Sequence, residues 1–480
     1  MAKDNKKLEV EKLKTEIERL KKELKKRKKY GLVWEEKPEE LVEMCKEKLP
    51  VPKEVKNKEI ITDKDKPVNL LIEGDNYHAL SVLNYTHAKK VDVIYIDPPY
   101  NTGQKDFKYN DQWVDIEDTY RHSKWLAFME KRLVLAKNLL KNNGVIFIQI
   151  DDNEIAQLKL LCDEIFGPNN FRNMLVWAYR TGGSPSKKDV FGRKHDYILF
   201  YSRSDNYFFN VLKEKIYYQK DFFGAKKDEK GNFYAEVNLR DVVEGEIELF
   251  KGGKFYKKIN VKPVLNLSSE RVMDFPSQKP IGLIKFLLEV TTNKDSIICD
   301  FFAGTGSTGE AVLDLNRDDN GNRKFILCTN NENNIATDIC YPRIKKAIFG
   351  FKNRPALGGN LKYFKTDFVD YDEPTDKNKI KLTKQATEML CVREGTFEKV
   401  LDDEKFKVFK NSGHYTGIIW DQSVIPAFKE AIKDIKGKFS VYVFSLGDET
   451  FDDEFKDAKQ KVQLSPIPEA ILRVYRRIFK

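Results

Sequence analysis

Short apolar runs rich in β-branched and aromatic residues recur through the middle of the chain, and segments of helical periodicity separate them. The runs that predict buried strands are residues 68–73, 91–96, 145–150, 197–201, 296–299 and 324–328. The segments that predict helices are residues 76–82, 123–141, 154–166, 281–290 and 310–313. Because strands and helices alternate, the pattern favours an α/β fold built on a parallel sheet.

Other parts of the chain depart from this alternation. Residues 3–29 predict a charged helix with a short heptad seam formed by Val10, Leu13, Ile17, Leu20 and Leu24. Two heptads are marginal alone, so this helix is expected to pack on a partner helix or on the body of the protein. Residues 31–66 predict a charged connection that contains several prolines. Residues 360–480 predict another unit, with a strand at 439–446 and a basic helix at 467–480.

Composition narrows the class of protein. A chain of 480 residues, 41% of them hydrophobic, is expected to form roughly two to four globular domains. No apolar run approaches the ~20 residues of a membrane span, and the lysine-rich N-terminus lacks the apolar segment of a signal peptide. The six cysteines contain no C-x-x-C pair, which argues against zinc and favours reduced thiols. We therefore expect a cytoplasmic protein without a metal centre or a membrane segment.

The net charge of +10 is unevenly distributed along the chain. Residues 1–30 hold 13 Lys and Arg against 6 Asp and Glu, and residues 170–274 hold 20 against 14. Positive charge confined to an arm and an inserted segment is typical of an enzyme that binds a polyanion such as DNA. The alternative interpretation is that these lysines form solvated surfaces.

The most informative motif is Asp97-Pro98-Pro99-Tyr100, which follows the predicted strand 91–96. Proline fixes φ and lacks an N–H, so the Asp97 carboxylate and the Pro98 carbonyl can point outward as two fixed acceptors. Two adjacent acceptors suit an exocyclic amine, and Tyr100 offers a ring on which a base can stack. The motif therefore indicates a site that holds a base amine for alkylation. The alternative is an ordinary turn at the end of a strand.

A second motif, Asp300-Phe301-Phe302-Ala303-Gly304-Thr305-Gly306, lies between the predicted strand 296–299 and a predicted helix. A glycine loop between a strand and a helix is typical of a nucleotide-type cofactor site. No Gly-Lys-Ser/Thr follows, so it is not a P-loop, and Phe-Phe-Ala distinguishes it from the usual dinucleotide fingerprint. A carboxylate-bearing ligand without phosphates, such as S-adenosylmethionine, fits better. The alternative is again an ordinary turn.

Together the two motifs resemble those of the amino-methylating DNA methyltransferases, in the permuted (beta) group in which Asp-Pro-Pro-Tyr precedes the cofactor loop. The resemblance extends from about residue 70 to about residue 350. The stretches 30–34 and 70–76 are similar to the modification (Mod) subunits of Type III restriction–modification systems. In that family Asp-Pro-Pro-Tyr accompanies mainly N6-methylation of adenine, whereas a serine in the first position would indicate N4-methylation of cytosine.

The resemblance implies an α/β fold with a Rossmann-like sheet that uses S-adenosylmethionine and has a circularly permuted motif order. The implied segments are an N-terminal charged helix and linker (1–66), the catalytic half of the core (67–170), the last core strands with an inserted target-recognition domain (171–274), the cofactor-binding half (275–358) and a small C-terminal α+β domain for assembly or partner docking (359–480). Ligands of open parallel sheets bind beyond the carboxyl ends of the strands, so permutation leaves such a site intact.

The resemblance also assigns roles to individual residues. The expected catalytic residues are Asp97, Pro98, Pro99 and Tyr100. The expected cofactor-binding residues are Asp75, Lys279, Asp300, Phe301, Ala303, Gly304, Gly306 and Glu332. For Asp75 the alternative is a helix cap, and Lys279 is expected to pair with the cofactor carboxylate. The expected phosphate-positioning residues are Arg180, Lys187, Lys188, Arg193 and Lys194.

The expected partners are double-stranded DNA, a second copy of the chain in a homodimer, and a separate restriction subunit with helicase and nuclease activity. The sequence contains no P-loop and no evident metal-nuclease cluster, so the chain is not expected to hydrolyse ATP or cut DNA itself. Two alternatives remain open. One is a solitary N4-cytosine or N6-adenine methyltransferase, and the other is a non-catalytic DNA-recognition subunit.

Overall fold

The computed structural model describes residues 37–179, 191–264, 278–351, 354–371, 375–411, 413–447, 449–458 and 461–479. The chain divides into two compact units, Met1–Lys37 and Pro38–Lys480, and the fold below is that of the second unit. The predicted heptad helix at 3–29 lies outside the described residues, as do Arg180, Lys187 and Lys188.

The strands are β1 Lys48–Glu54, β2 Val68–Glu73, β3 Val91–Ile96, β4 Lys108–Tyr109, β5 Gln112–Trp113, β6 Leu140–Ile150, β7 Phe171–Ala178, β8 His195–Ser202, β9 Lys213–Tyr218, β10 Lys226–Lys227, β11 Phe233–Asn238, β12 Val242–Glu244, β13 Glu246–Lys251, β14 Lys254–Asn260, β15 Ile297–Asp300, β16 Lys324–Thr329, β17 Asn360–Asp370, β18 Glu398–Asp402, β19 Phe406–Lys410, β20 His414–Ile419, β21 Lys438–Phe444 and β22 Val462–Ile467. The α-helices are α1 Glu40–Met44, α2 Asn76–Thr86, α3 Arg121–Leu139, α4 Ile155–Phe166, α5 Ile281–Thr291, α6 Ser307–Asp319, α7 Tyr341–Phe349, α8 Asp376–Gln385, α9 Thr387–Glu394, α10 Ile425–Ile432 and α11 Glu469–Ile478.

Ten strands form one sheet in the order β1-β17-β2-β16-β15-β3-β6-β8-β7-β12. The six strands from β17 to β6 are parallel, and helices connect them. Their apolar runs are buried along almost their whole length, as expected of strands covered on both faces. The predicted α/β fold with a parallel sheet is therefore confirmed.

The edge formed by β1 and β17 differs from the sequence prediction. Residues 48–54 had the features of a charged connection, yet β1 pairs antiparallel with β17, with Pro50 opposite Phe368. Proline lacks an N–H and is tolerated on an edge strand such as β1. Because prolines usually argue against a strand, the sequence did not predict this one. Both β1 and β17 belong to the main sheet, so the predicted segment boundaries at 66/67 and 358/359 do not coincide with the edges of the core.

The inserted segment also contributes to the main sheet. Strand β8 lies between β6 and β7 and is antiparallel to both, and β12 extends the edge beyond β7. The remaining strands form a separate antiparallel sheet in the order β10-β11-β9-β13-β14. Trp177 of β7 donates its indole N–H to the Val261 carbonyl at 2.8 Å, which ties this second sheet to the core.

The C-terminal part forms a third sheet in the order β18-β19-β20-β21-β22, of which the last three strands are parallel. The predicted strand at 439–446 and the basic helix at 467–480 correspond to β21 and α11. Apolar residues of α2, β1 and α11 share one buried cluster, so this part packs directly on the core. Among the described residues, no helix is both long enough and apolar enough to cross a membrane.

The close approach of the second sheet to α5 gives a stability test. A Cβ at Gly282 would lie 1.8 Å from the Asn260 carbonyl oxygen. Gly282→Ala should therefore lower the free energy of unfolding by roughly 1–3 kcal/mol, although alanine has the higher helix propensity. Guanidinium denaturation measures the change.

Gly413→Ala is the matched control, because a Cβ there meets no described atom within 4 Å. Equal stability of the two variants would contradict the packing of β14 against α5.

Candidate active site

The two predicted motifs lie at the carboxyl ends of neighbouring strands. Strands β15 and β3 pair in parallel, with Ile298 opposite Val93. Asp300 ends β15 and Asp97 follows β3, so the two loops open into the same crevice. The sheet thus brings together two motifs that are about two hundred residues apart in the chain.

The crevice contains two cavities that share Asp97, Phe302 and Gly304 in their walls. The larger has a volume of about 700 Å³ and is also lined by Asp75, Asn76, Pro99, Phe301, Thr329, Asn330 and Glu332. The smaller has a volume of about 80 Å³ and is also lined by Gln278, Lys279, Asp300, Ala303, Thr305, Ser307 and Thr308. The arrangement suits a ligand with a ring system at one end and a small polar group at the other.

Asp97 is held by two neighbours. The Tyr100 hydroxyl donates to Oδ1 at 2.9 Å, and the Lys279 ammonium lies 2.8 Å from Oδ2. Burial raises the pKa of Asp97, while Lys279 and the Tyr100 hydrogen bond act in the opposite direction. The Trp125 indole donates to the Pro99 carbonyl at 2.8 Å, which fixes the backbone of the tetrapeptide.

Lys279 has an ion-pair partner within the protein. The resemblance assigns it to the carboxylate of the cofactor, whereas in the structure its partner is Asp97. Its ammonium also lies 4.9 Å from the centre of the Tyr100 ring. One ring face of Tyr100, which sequence analysis left free for stacking, is therefore occupied by a cation.

Asp300 anchors the glycine loop. Its carboxylate accepts hydrogen bonds from the Thr308 hydroxyl at 2.5 Å and from the Phe302 amide at 3.0 Å. Burial raises the pKa of Asp300 to about 7. Gly304 and Gly306 have φ values of 48° and 80°, a region that glycine adopts without strain. The loop leads directly into the N-terminus of α6, which favours a negative group.

Asp75 lies in the wall of the larger cavity and also caps a helix. Its carboxylate accepts from the Tyr77 amide at 2.7 Å, so the alternative of a helix cap is confirmed, while the contact with the cofactor stays a prediction. Glu332 lies in the same cavity wall but is paired with Lys108.

A buried arginine supports Asp75 and is not recognisable from the sequence. Arg132 of α3 is fully buried and forms a bidentate ion pair with Glu39, at 2.7 and 3.0 Å. It also lies 3.4 Å from Asp75 and donates to the Asn76 side chain. An arginine near the middle of a predicted helix has no sequence feature that identifies such partners.

A hairpin covers the larger cavity. Strands β4 and β5 belong to the loop between the tetrapeptide and α3, and residues 106–111 and Trp113 line the cavity. The Tyr109 hydroxyl donates to the Pro38 carbonyl at 2.9 Å, and the Glu40 amide donates to Asn110 at 3.0 Å. The hairpin and the segment around α1 therefore form one continuous wall.

A second missed group lies directly behind the tetrapeptide. Asn101 has a φ of 56°, and its amide donates to Glu154 Oε1 at 2.5 Å. The same oxygen is 2.7 Å from His122 Nδ1. Burial raises the pKa of Glu154 to about 8. The group fixes the chain where it leaves Tyr100.

Of the expected DNA-binding residues, two are described. Arg193 lies 2.6 Å from Asp151 and also pairs with Asp152, so its charge is already balanced within the protein. Lys194 is exposed at the start of β8. Asp151 also accepts a hydrogen bond from the Asn153 amide at 2.9 Å, ahead of α4.

Comparison with known families identifies the fold and the crevice. A family model described as DNA methylase, of the N6/N4 methyltransferase type, matches residues 91–340, which is just over half of the chain. The chain belongs to this DNA methylase family. The matched span runs from β3 to the end of the segment that precedes α7, so it includes Asp97, Lys279 and Asp300.

Individual relatives are of two kinds. The chain is 31% identical over 342 residues to the Type III restriction-modification enzyme StyLTI Mod subunit of Salmonella typhimurium, covering 54% of this chain and 52% of that protein. It is 30% identical over 394 residues to the EcoPI Mod subunit of Escherichia phage P1, covering 58% and 60%. It is also 30% identical over 373 residues to the Type II methyltransferase M.KpnI of Klebsiella pneumoniae, covering 62% and 88%. The chain thus spans little more than half the length of the two Mod subunits.

The Arg132 group predicts a large loss of stability on truncation. Arg132→Met leaves Glu39 buried without its counter-charge, so the free energy of unfolding should fall by roughly 3–5 kcal/mol. Urea denaturation monitored by circular dichroism measures the loss. Adding Glu39→Gln to that variant removes the unpaired charge and should recover part of the stability; no recovery would contradict the pairing.

The raised pKa of Glu154 predicts that the stability of the protein depends on pH. The pKa of Glu154 is about 8, above its ordinary value of 4.5, so its contribution to stability is present at low pH and declines as pH rises towards 8. Glu154→Gln keeps the acceptor for Asn101 and cannot ionise. Its stability relative to the wild-type protein should therefore increase between pH 5 and pH 8.5 in thermal melts, and a constant difference would contradict the raised pKa.

Proposed function

We propose that this family member transfers a methyl group from S-adenosylmethionine to N6 of a flipped adenine in double-stranded DNA. The observation that carries the proposal is the meeting of the Asp97 tetrapeptide with the Asp300 glycine loop in one crevice. A protein that only recognised DNA would not need both the Asp97 tetrapeptide and the Asp300 glycine loop. The relatives whose names specify methyltransferases support the same reaction.

The residues present fit S-adenosylmethionine. The larger cavity offers the aromatic rings of Phe301 and Phe302 and the carboxylates of Asp75 and Glu332, which suit an adenine ring and ribose hydroxyls. The smaller cavity offers Asp300, the Gly304–Gly306 turn after Ala303, and the N-terminus of α6, which suit an amino acid group. When bound, S-adenosylmethionine supplies an electrophilic methyl group on a sulfonium sulfur.

The tetrapeptide would act on the target amine. The lone pair of this amine is delocalised into the adenine ring. The amine nitrogen becomes a nucleophile when its N–H groups donate hydrogen bonds to the Asp97 carboxylate and the Pro98 carbonyl. These acceptors also stabilise the positive charge that develops on nitrogen as the new N–C bond forms and the bond between the methyl carbon and the sulfonium sulfur breaks, with its electron pair left on sulfur. The product amine then loses one proton, and Asp97 is the base beside it. Pro99 and the Trp125 contact keep the acceptors aligned.

The target must leave the duplex to reach this crevice. Flipping costs a few kcal/mol, and stacking on the open face of Tyr100 would offset on the order of 1–3 kcal/mol. Phosphate contacts are proposed for Lys194 and for Arg180, Lys187 and Lys188. Arg193 is a weaker candidate, because two carboxylates already balance its charge.

We further propose that the chain acts in the cytoplasm as the modification and recognition subunit of a Type III restriction–modification system. Two relatives at about 30% identity bear the name of such a subunit. In this proposal the protein forms a homodimer, and a separate restriction subunit cuts DNA. The helix that the sequence predicts at residues 3–29 and the C-terminal sheet are the proposed assembly surfaces.

The reaction is tested with radiolabelled S-adenosylmethionine and unmodified duplex DNA of varied sequence, followed by digestion to nucleosides and mass spectrometry. We expect N6-methyldeoxyadenosine. N4-methyldeoxycytidine would keep the fold and overturn the assignment of the base. No methylated product on any DNA would contradict the proposed reaction and favour a recognition subunit.

Variants separate the roles within the tetrapeptide. Asp97→Ala should abolish methyl transfer while binding of S-adenosylmethionine persists, because the proposed role of Asp97 is to accept a hydrogen bond from the target amine. Asp434→Ala is the control, since that aspartate is exposed and far along the chain in the C-terminal part. Loss of cofactor binding in Asp97→Ala would contradict this division of roles.

Tyr100→Phe and Tyr100→Ala distinguish the hydroxyl from the ring. Phenylalanine keeps the stacking surface and loses the hydrogen bond to Asp97, so binding of DNA that carries an unpaired target base should be retained. Alanine should weaken that binding by roughly 10- to 100-fold, the equivalent of a lost base stack. Equal binding by both variants in a fluorescence anisotropy titration would remove the stacking role.

A further inference from the structure

The contact between Lys279 and Asp97 has no counterpart in the roles that the sequence implied. Lys279 lies just before α5, and its side chain is 10% exposed. Its ammonium is 2.8 Å from Asp97 Oδ2 and 4.9 Å from the centre of the Tyr100 ring. One cation therefore contacts both side chains that the proposed reaction places at the target base.

Other carboxylates near Lys279 are already engaged. Asp300 accepts from Thr308 and from the Phe302 amide. Asp196 of β8 lies 3.3 Å from the Tyr179 hydroxyl and 3.3 Å from the Gln149 amide. Among the described residues, Asp97 is the carboxylate within ion-pair distance of Lys279.

The charges around Asp97 are otherwise unfavourable to its ionised form. Asp196 faces it from β8, where it lies 3.4 Å from the Tyr100 hydroxyl, and Asp300 faces it from β15. Tyr95 of β3 and Gln149 of β6 are polar but neutral neighbours, bonded to each other at 2.7 Å. Lys279 is the cation that balances this group of acids, since its charge opposes the effect of burial on Asp97.

The position of the ammonium also restricts the base. A cation over one face of Tyr100 leaves the opposite face for stacking. A target that stacks there approaches Asp97 from one side only. The two acceptors then meet the amine in a single orientation, which is what an in-line transfer requires.

We propose that Lys279 is a positioning residue for methyl transfer: it orients the Asp97 carboxylate as an acceptor for the target amine and directs the flipped base to the face of Tyr100 opposite the ammonium. This inference rests on the proposed function. It competes with the expectation that Lys279 binds the carboxylate of S-adenosylmethionine, and the two interpretations give opposite results in one set of measurements.

The test compares wild-type protein with Lys279→Met, Lys279→Arg and the exposed control Lys433→Met. Methyl transfer under saturating substrate is measured from pH 5.5 to pH 9.5, and binding of S-adenosylmethionine without DNA is measured by calorimetry. Removing the ammonium raises the pKa of Asp97, so the acid limb of the kcat profile should move to higher pH. At a given pH on the acid limb, kcat should fall by roughly 10- to 100-fold, as for a shift of that limb by one to two pH units.

Three further results complete the expectation. Cofactor affinity of Lys279→Met should stay within about 3-fold of wild type, activity should recover towards pH 9, and Lys279→Arg, which keeps the charge, should keep the wild-type acid limb. Thermal melts of each variant establish that it is folded. If Lys279→Met does not fold, a shifted acid limb in Lys279→Arg overturns the inference and an unshifted limb supports it.

The inference is overturned if Lys279→Met binds S-adenosylmethionine 10-fold or more weakly while its pH profile matches wild type. That result would indicate that Lys279 binds the carboxylate of the cofactor, and it would leave the proposed function unchanged. Absence of transfer by the wild-type protein at every pH is a separate outcome, because it overturns the proposed reaction together with this inference.

Discussion

The parallel pairing of β15 with β3 is the constraint on which the rest of the site depends. It places the ends of two strands side by side, so that Asp97 and Asp300 emerge at one edge of the sheet. Strand adjacency, not sequence distance, decides which loops meet. The chain can therefore carry the tetrapeptide before the glycine loop and insert a whole antiparallel sheet between them without disturbing the crevice.

Bringing these loops together concentrates acidic groups where water is largely excluded. Asp97, Asp300 and Asp196 lie close enough to influence one another, and burial favours the neutral forms of Asp97 and Asp300. Each is stabilised by a different means: an ammonium for Asp97, a hydroxyl and an amide for Asp300, and neighbouring hydroxyl and amide groups for Asp196. These differences would let Asp97 accept hydrogen bonds from the substrate while Asp300 holds the glycine loop in place.

The sequence predicted the parts of the site that depend on local patterns. Asp97 and Asp300 each follow an apolar run that could only be a buried strand, and the glycines of the second loop imply unusual backbone angles. Strand β1 could not be recognised from the sequence, because proline is tolerated in a strand mainly at the edge of a sheet. The sequence does not show that β1 is an edge strand. Asp75 lines the larger cavity, yet its partner Arg132 could not be anticipated from the sequence.

Partners of this kind follow from tertiary contacts alone. Arg132 reaches Glu39 across a separation of 93 residues, and Lys279 reaches Asp97 across 182. Neither pair has a periodicity or a spacing that a single sequence displays. A charged residue inside a helical pattern predicts solvent exposure by default, and only the packing of α3 against the segment that carries Glu39 reverses that expectation.

The same reasoning explains why the chemistry of Tyr100 needed the structure. An aromatic ring after two prolines predicts a stacking surface, and the sequence gives no reason to prefer either face. Lys279 removes that symmetry by occupying one side, while Asp97 and Asp196 hold the hydroxyl at the other end of the ring. The ring is thereby fixed in both tilt and accessible face. Under the proposed function, a rigid surface of this kind would select one pose of a flipped base and would align the amine with its acceptors before methyl transfer.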